Sequence, residues 1–276
     1  MIRTTKLRAT RYPRVLVVTM AAALLGAGPL LGQEGESASD MAKTAQNPVA
    51  SVYNFPFQNN TDFKVGPNEA TNNTLNIQPV IPTPVGGFNL INRAIIPVKW
   101  QGDVAGAGSQ SGLGDITYEG FLSPRKPGKV IWGVGVALIF PTATDDRLGA
   151  GKWQAGPGLV VLTVAGQWVI GALAQNTWSF AGDTARADVN FFFGQYFINY
   201  NIKNGWYLTS QPIITANWKA ESGEQWTVPF GGGVGKTQSF GRFFVDFQAQ
   251  AFYNAVKPEF GPDWQLRLQV KPIIPH

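Results

Sequence analysis

The sequence predicts an all-β protein, a transmembrane antiparallel up-and-down β-barrel of about twelve strands. Three observations predict it. Period-two alternation of apolar and polar residues returns again and again from Asn47 onward. Every tryptophan falls at the end of a candidate strand and on the same side of it: Trp100, Trp178 and Trp218 close strands, while Trp132, Trp153, Trp168, Trp206, Trp226 and Trp264 lie at or near strand starts. Long connections alternate with short ones. Indole is amphipathic and settles where lipid meets water, so these nine residues read as a membrane-interface girdle. A soluble β-sandwich would place its tryptophans mid-strand, in the core.

The N-terminal residues come first. Arg3, Lys6, Arg8, Arg11 and Arg14 make a basic n-region, and Val15 to Leu31 an apolar h-region broken by Gly26, Gly28 and Pro29. That is the layout of an export signal. The alternative, a membrane anchor, needs ~20 uninterrupted apolar residues, and the Gly-Pro break leaves the run short. We therefore read 1–32 as a signal peptide, 33–46 as a flexible periplasmic lead and 47–276 as the barrel. The lead is polar and small, with Glu34, Glu36, Ser37, Ser39 and Asp40. The whole chain has 22 Lys+Arg against 17 Asp+Glu; without the five bases of the signal the balance is 17 to 17. Nothing in that balance points to nucleic acid.

Strands follow near 51–57, 74–81, 88–100, 114–122, 130–140, 153–164, 168–179, 189–200, 206–218, 226–236, 243–253 and 264–271. The last is the clearest: Trp264, Leu266, Leu268 and Val270 alternate with Gln265, Arg267, Gln269 and Lys271. In 243–253, Phe243, Val245, Phe247, Ala249, Ala251 and Tyr253 alternate with Phe244, Asp246, Gln248, Gln250 and Phe252. Pro56 interrupts the first strand, and Gly231-Gly232-Gly233 leaves little side chain in the tenth, so each predicts a bend, bulge or edge, and ten or fourteen strands stay open.

The long connections span 58–73, 101–113, 141–152, 180–188, 219–225 and 254–263; the short ones span 82–87, 123–129, 165–167, 201–205 and 237–242 and hold turn formers such as Pro127-Gly128 and Asn204-Gly205. Long outer loops and short periplasmic turns are the outer-membrane pattern. Charge segregates along the same division. The long segments hold about eleven acids and six bases, whereas the short turns hold Arg125, Lys126, Lys129, Lys203 and Arg242 and no acid.

Catalytic chemistry is poorly provided for. The chain has no cysteine, and its one histidine is the final residue, His276. A terminal imidazole cannot be oriented by packing on both sides, so neither a hydrolase base nor an imidazole or thiolate metal site is expected. Asp145, Asp146, Asp183 and Asp188 match no calcium-loop spacing and read as solvated loop acids facing lipopolysaccharide and its counter-ions. Gly231 to Thr237 mimics a phosphate-binding loop but is one residue short, with no helix pattern after it. No cofactor, metal or catalytic residue is expected.

The inward phase carries the transport question. Lumen-lining candidates are Arg93, Glu119, Asp246, Gln250, Arg267 and Lys271; Lys99, Asp115, Gln175, Gln211, Gln248 and Gln265 share the phase. If Tyr253 pairs with Trp264, Asp246 faces Lys271 and Gln250 faces Arg267. If Trp100 pairs with Gly114, Glu119 lies diagonally from Arg93. Such pairs either line a water-filled pore or stabilise a narrow lumen. Ile131, Gly133, Gly135, Ala137 and Ile139 form an apolar or small inner wall, a route for poorly polar solutes or room for a loop to fold inside.

Several stretches, in order, resemble one family. They are Leu75-Asn76-Ile77-Gln78-Pro79-Val80-Ile81-Pro82, Gly112-Leu113-Gly114-Asp115-Ile116, Phe140-Pro141-Thr142-Ala143-Thr144, Gly149-Ala150-Gly151-Lys152-Trp153 with Gly156-Pro157, Gln195-Tyr196-Phe197-Ile198-Asn199-Tyr200 and Gly205-Trp206-Tyr207-Leu208. The family is the bacterial outer-membrane barrels named after the meta-pathway of phenol degradation. The resemblance implies a barrel and uptake of hydrophobic or aromatic compounds, and brings no site residues. One departure is the C-terminus, Ile273-Ile274-Pro275-His276, where many barrels end in an aromatic. The expectation is an outer-membrane channel whose partners are outer-membrane lipid, lipopolysaccharide and a small-molecule solute. The alternative is a structural or adhesive barrel with a closed lumen.

Overall fold

The computed structural model describes residues 37–275. They form one antiparallel sheet of twelve strands, closed on itself. Strand β1 comprises Tyr53–Asn54 and Phe57–Val65, and β2 comprises Ala70–Ile77 and Val80–Val85. β3 is Phe88–Gln101; β4 is Gln110–Leu113 with Ile116–Pro124; β5 is Val130–Phe140. β6 is Lys152–Ala165, β7 Trp168–Gly182 and β8 Asn190–Asn201. β9 is Trp206–Ser210 with Ile213–Asn217, and β10, β11 and β12 are Trp226–Phe240, Phe243–Val256 and Trp264–Ile274. Neighbours in sequence are neighbours in the sheet. Closure comes from β12 on β1, with Trp264 opposite Phe63, Val270 opposite Phe57 and Ile274 opposite Tyr53. A closed barrel leaves no edge and satisfies every backbone group internally, as a lipid core demands.

The first two strands run past their expected ends. The segment 58–73 is not a long loop: β1 continues to Val65, β2 begins at Ala70, and only a tight turn joins them. Asparagine is disfavoured in strands, which hid this ladder from the sequence pattern. Here the amides bond one another across the strands, Asn59 Nδ2 to Asn73 Oδ1 at 2.8 Å and Asn73 Nδ2 to Thr61 Oγ1 at 2.8 Å.

Proline accounts for three of the four strand interruptions, because it removes a ladder donor. At Pro56 and Pro79 the backbone bonding carries on: Phe55 N–H donates to Pro272 O at 3.0 Å and Gln78 N–H to Pro56 O at 2.9 Å. At Gln211-Pro212 side chains take over. Gln211 N–H donates to Gln250 Oε1 at 3.1 Å, and Arg267 Nη1 donates to Gln211 O at 2.7 Å. The Gly231-Gly232-Gly233 run lies within β10 beside this break, with a register shift between Val228 and Pro229.

The outer face carries an apolar band, with Val134, Val136, Leu159, Ile170, Leu208 and Val234 all exposed. The inner face buries two clusters. One gathers Val80, Ile91, Phe121, Val160, Leu162, Val169, Leu173 and Phe197 around Val49; the other gathers Met41, Ala50, Val52, Phe244 and Ile273.

Met41, Val49 and Ala50 precede the barrel. The flexible lead expected over 33–46 is instead ordered where it is described. Residues Ala38–Ala45 form helix α1, capped by Ser37, whose Oγ accepts from Asp40 N–H at 3.1 Å. Met41 and Ala42 are fully buried. The helix packs against β8 to β11 and the 3-10 turn at Lys203–Gly205. Gly205 has a positive φ of 75°, and a Cβ there would collide with the backbone of Thr237 on β10. The predicted signal peptide and residues 33–36 lie outside the described residues, as does His276.

Candidate functional site

The lumen is two-sided. Its apolar wall comes from β3 to β8, where inward positions are Ile91, Phe121, Val160, Leu162, Leu173 and Phe197. Gly133, on the small inner face of β5, leaves space that Val49 occupies: a Cβ on Gly133 would lie 3.1 Å from Val49 Cγ1. The room in which a loop was expected to fold is taken instead by the N-terminal segment at Val49.

The polar wall comes from β8 to β12 and β1. It holds four of the six lumen candidates, in two groups; the third group, Arg93 with Glu119, sits on β3 and β4, within the otherwise apolar wall. Asp246, fully buried, accepts from Tyr207 Oη at 2.7 Å, Thr237 Oγ1 at 2.8 Å and Gln248 Nε2 at 2.8 Å, with Lys271 Nζ 3.8 Å away. Lys271 also donates to Ala45 O at 2.7 Å. Gln250 lies opposite Arg267, and Asp246 opposite Lys271, as the Tyr253–Trp264 register requires. Arg267 is 2% exposed. Its guanidinium donates to Asn60 Oδ1 at 3.1 Å, Gln265 Oε1 at 2.9 Å and Gln211 O at 2.7 Å, and stacks on Phe252 at 4.9 Å. All three acceptors are neutral, and among the described residues no carboxylate contacts it.

The third group is Arg93 and Glu119, and it corrects the expected register. Trp100 pairs with Ser111 rather than Gly114, and the interruption of β4 at Gly114-Asp115 shifts the lower half by one residue. Arg93 therefore faces Glu119 directly, 3.4 Å from its carboxylate, and its second guanidinium nitrogen donates to Gln78.

Asp115, in that interruption, does something the alternation did not reveal. Its carboxylate accepts the backbone N–H of Ala143 at 3.2 Å and of Ala150 at 2.6 Å. Lys99 Nζ donates to Leu148 O at 2.8 Å, and Thr142 Oγ1 and Thr144 Oγ1 accept from the N–H of Ile116 and Leu113 at 2.9 and 3.1 Å. The loop 141–151 is thus drawn down onto the mouth, with Leu148 1% exposed. The Phe140 to Thr144 stretch opens that loop.

At the opposite end α1 closes in. Gln46 and Asn201 exchange amide hydrogen bonds at 2.9 and 3.0 Å, and Gly205 N–H donates to Ser39 Oγ at 3.3 Å. Sequence reasoning missed this plug because eight residues, mostly polar or small, make too short a periodic signal. The available clue was Ser37 three residues before Asp40, a helix-start signature, followed by Met41, Ala42 and Ala45 on one face.

All nine tryptophans point outward. Trp100, Trp153, Trp178, Trp218, Trp226 and Trp264 stand at the long-loop rim, Trp132, Trp168 and Trp206 at the short-turn rim; Trp206 is half-buried and the others are exposed. They pair with neighbours, as in Tyr253–Trp264 at 4.9 Å and Trp168–Tyr200 at 4.8 Å. The four loop acids do not converge. Asp145 pairs with Arg147, Asp146 with Arg186 and Asp188 with Lys152, Asp183 accepts from Ala185 N–H, and among the described residues no acidic or imidazole group is arranged to hold a metal.

A twelve-stranded closed barrel, apolar outside between two aromatic rims, is an integral protein of the bacterial outer membrane. The chain belongs to the family described as "Putative MetA-pathway of phenol degradation", whose profile matches residues 53–270. An outer membrane channel from Pseudomonas putida F1 has the same fold, with a TM-score of 0.62 at 18% identity over 81% of this chain and 94% of its own. The outer membrane phospholipase of Salmonella typhi aligns at a TM-score of 0.40 and 12% identity over 87% of this chain and 98% of its own. The toluene transporter TodX of Pseudomonas putida aligns at 0.38 and 10% over 84% and 92%. A comparison with curated proteins found no match.

Proposed function

We propose that this barrel is a channel for small hydrophobic or aromatic solutes. The observation that carries the reading is the two-sided lumen. A continuous apolar wall from Phe121 through Val160 and Leu173 to Phe197 would wet poorly, while the opposing amides and Arg267 give a solute polar points of contact. A half-apolar lumen, opened by displacement of the N-terminal segment, would favour compact solutes of low polarity over hydrated ions. The similar outer membrane channel of Pseudomonas putida F1 supports a channel role. The lumen residues Arg93, Glu119, Asp246, Gln250, Arg267 and Lys271 would line the path, and the nine tryptophans would set its depth in the bilayer.

The test is uptake of an environment-sensitive aromatic dye and of neutral sugars into proteoliposomes. Dye uptake above empty vesicles, with little sugar-driven swelling, is the expected result. Swelling with sugars and no dye uptake would replace the reading by a hydrophilic pore. Neither activity would favour the closed structural barrel, for which the seated α1 is the supporting observation.

A further inference from the structure

The short-turn rim carries a charge pattern that solute passage does not explain. Every charged residue in the described short turns is a base, namely Arg125, Lys126, Lys129, Lys203 and Arg242, and all five are exposed. One more cation lies within the wall itself. Lys236 on β10 is in the outward phase, alternating with exposed Val234 and Phe240, so its stem lies on the lipid side. Its Nζ sits 5.1 Å over the ring of Trp206, its cross-strand partner. A lysine on the lipid face sends its ammonium to the headgroup layer.

Lys203 and Arg242 flank it. The Lys203–Gly205 turn packs onto β10 at Thr237, and Arg242 lies in the turn that joins β10 to β11. Between them, exposed Phe240 and Phe243 stack at 5.8 Å with their planes 17° apart. Three cations therefore share this arc of the rim with an exposed aromatic pair at the hairpin tip. The acid near this arc is Asp40 of α1, already bonded by Ser37 Oγ at 2.7 Å. Short turns and the start of the barrel mark this rim as periplasmic, so it meets the phospholipid leaflet.

We propose that Lys203, Lys236 and Arg242 form a binding site for an anionic phospholipid of the periplasmic leaflet. Its phosphate rests among the three cations and its acyl chains lie along Trp206, Phe240 and Phe243. Charge complementarity selects the headgroup, and each basic residue near an anionic lipid surface strengthens attachment about fivefold.

The experiment is native mass spectrometry of the full barrel released from nanodiscs holding equal phosphatidylethanolamine and phosphatidylglycerol. The wild type is expected to retain phosphatidylglycerol preferentially. Lys236→Gln should weaken retention about fivefold, and the triple variant with Lys203→Gln and Arg242→Gln should weaken it by roughly two orders of magnitude. Lys219→Gln, on the opposite rim, should retain the wild-type preference. Heat-modifiable mobility verifies that each variant is folded, and the single variant suffices if the triple one is not. Equal retention of the two lipids by the wild type, or unchanged retention by folded Lys236→Gln, would overturn the proposal. So would displacement of the lipid by free glycerol phosphate, which would assign the cations to a soluble anion.

Discussion

Lys271 of the last strand donates to the carbonyl of Ala45, the last residue of α1, while its ammonium stays 3.8 Å from the buried carboxylate of Asp246. One side chain thus joins the wall to the plug. Asp246 keeps its three neutral donors without Lys271, so the wall survives its loss better than the plug does.

Lys271→Met is therefore expected to leave the barrel folded and loosen α1. A hydrogen bond from a charged donor contributes roughly 1.5–3 kcal/mol, so the displaced-plug population should rise by roughly tenfold or more. Single-channel recording reads this as more frequent or larger openings. Bridging cysteines placed at Gln46 and Asn201 with a short bis-maleimide should abolish the gain; openings that persist under the bridge would show that α1 is not the obstruction.

Arg267 is expected to bias ion selectivity. Its acceptors are neutral, so its charge is uncompensated by contact. In a variant lacking residues 37–46, Arg267→Gln should move the reversal potential toward cation preference. The shift should shrink as salt rises, because the field reaches ~10 Å at 0.1 M and ~3 Å at 1 M. An unmoved reversal potential at low salt would place Arg267 off the conducting path.

Leu268 lies mid-strand on β12 in the outward phase. Leu268→Arg should cost roughly 2–4 kcal/mol in lipid refolding if it sits near the bilayer midplane. Leu268→Val should cost far less, since both side chains suit hydrocarbon. Equal stability of the two variants would mean that this face is not lipid-exposed.

Asp263, in the loop before β12, is held below its ordinary value of 3.8 by a hydrogen bond from Lys257 and by the charges of Lys257 and Lys64. A depressed carboxylate contributes stability above its unfolded value and loses it as pH falls through the lower folded one. Hydrogen exchange in 257–263, corrected for intrinsic rate, should be the same at about pH 7 and about pH 5 and rise only below about pH 4. Lys257→Gln should raise it at neutral pH. A rise between about pH 7 and about pH 5 would point to a different titrating group.

The strand count and the β11–β12 register were legible because each inward polar residue there is followed by an outward apolar one. What escaped was set by features without a period. Amide ladders around Asn59 and Asn73 look like loop, a three-residue displacement at Trp100 less a one-residue shift at Gly114-Asp115 turns a diagonal Arg93–Glu119 pair into a facing one, and eight residues of α1 owe their helix to the wall that holds them. Asp115 sat in the expected phase, but its partners are backbone amides of a loop, which no side-chain pattern announces. That the backbone of Gln211 is held by Gln250 and Arg267 depends on a break visible only as a proline.

The attachment of α1 has a consequence for the order of assembly. The plug comes before β1 in the chain, yet Gln46 bonds a residue 155 positions later and Ala45 one 226 positions later. Contacts that span so much chain form late, after shorter closures have limited the search. Lys271 occupies its place only once β12 has met β1. A half-inserted barrel therefore holds its N-terminal segment unseated, and docking of α1 reports that the circle of strands is complete.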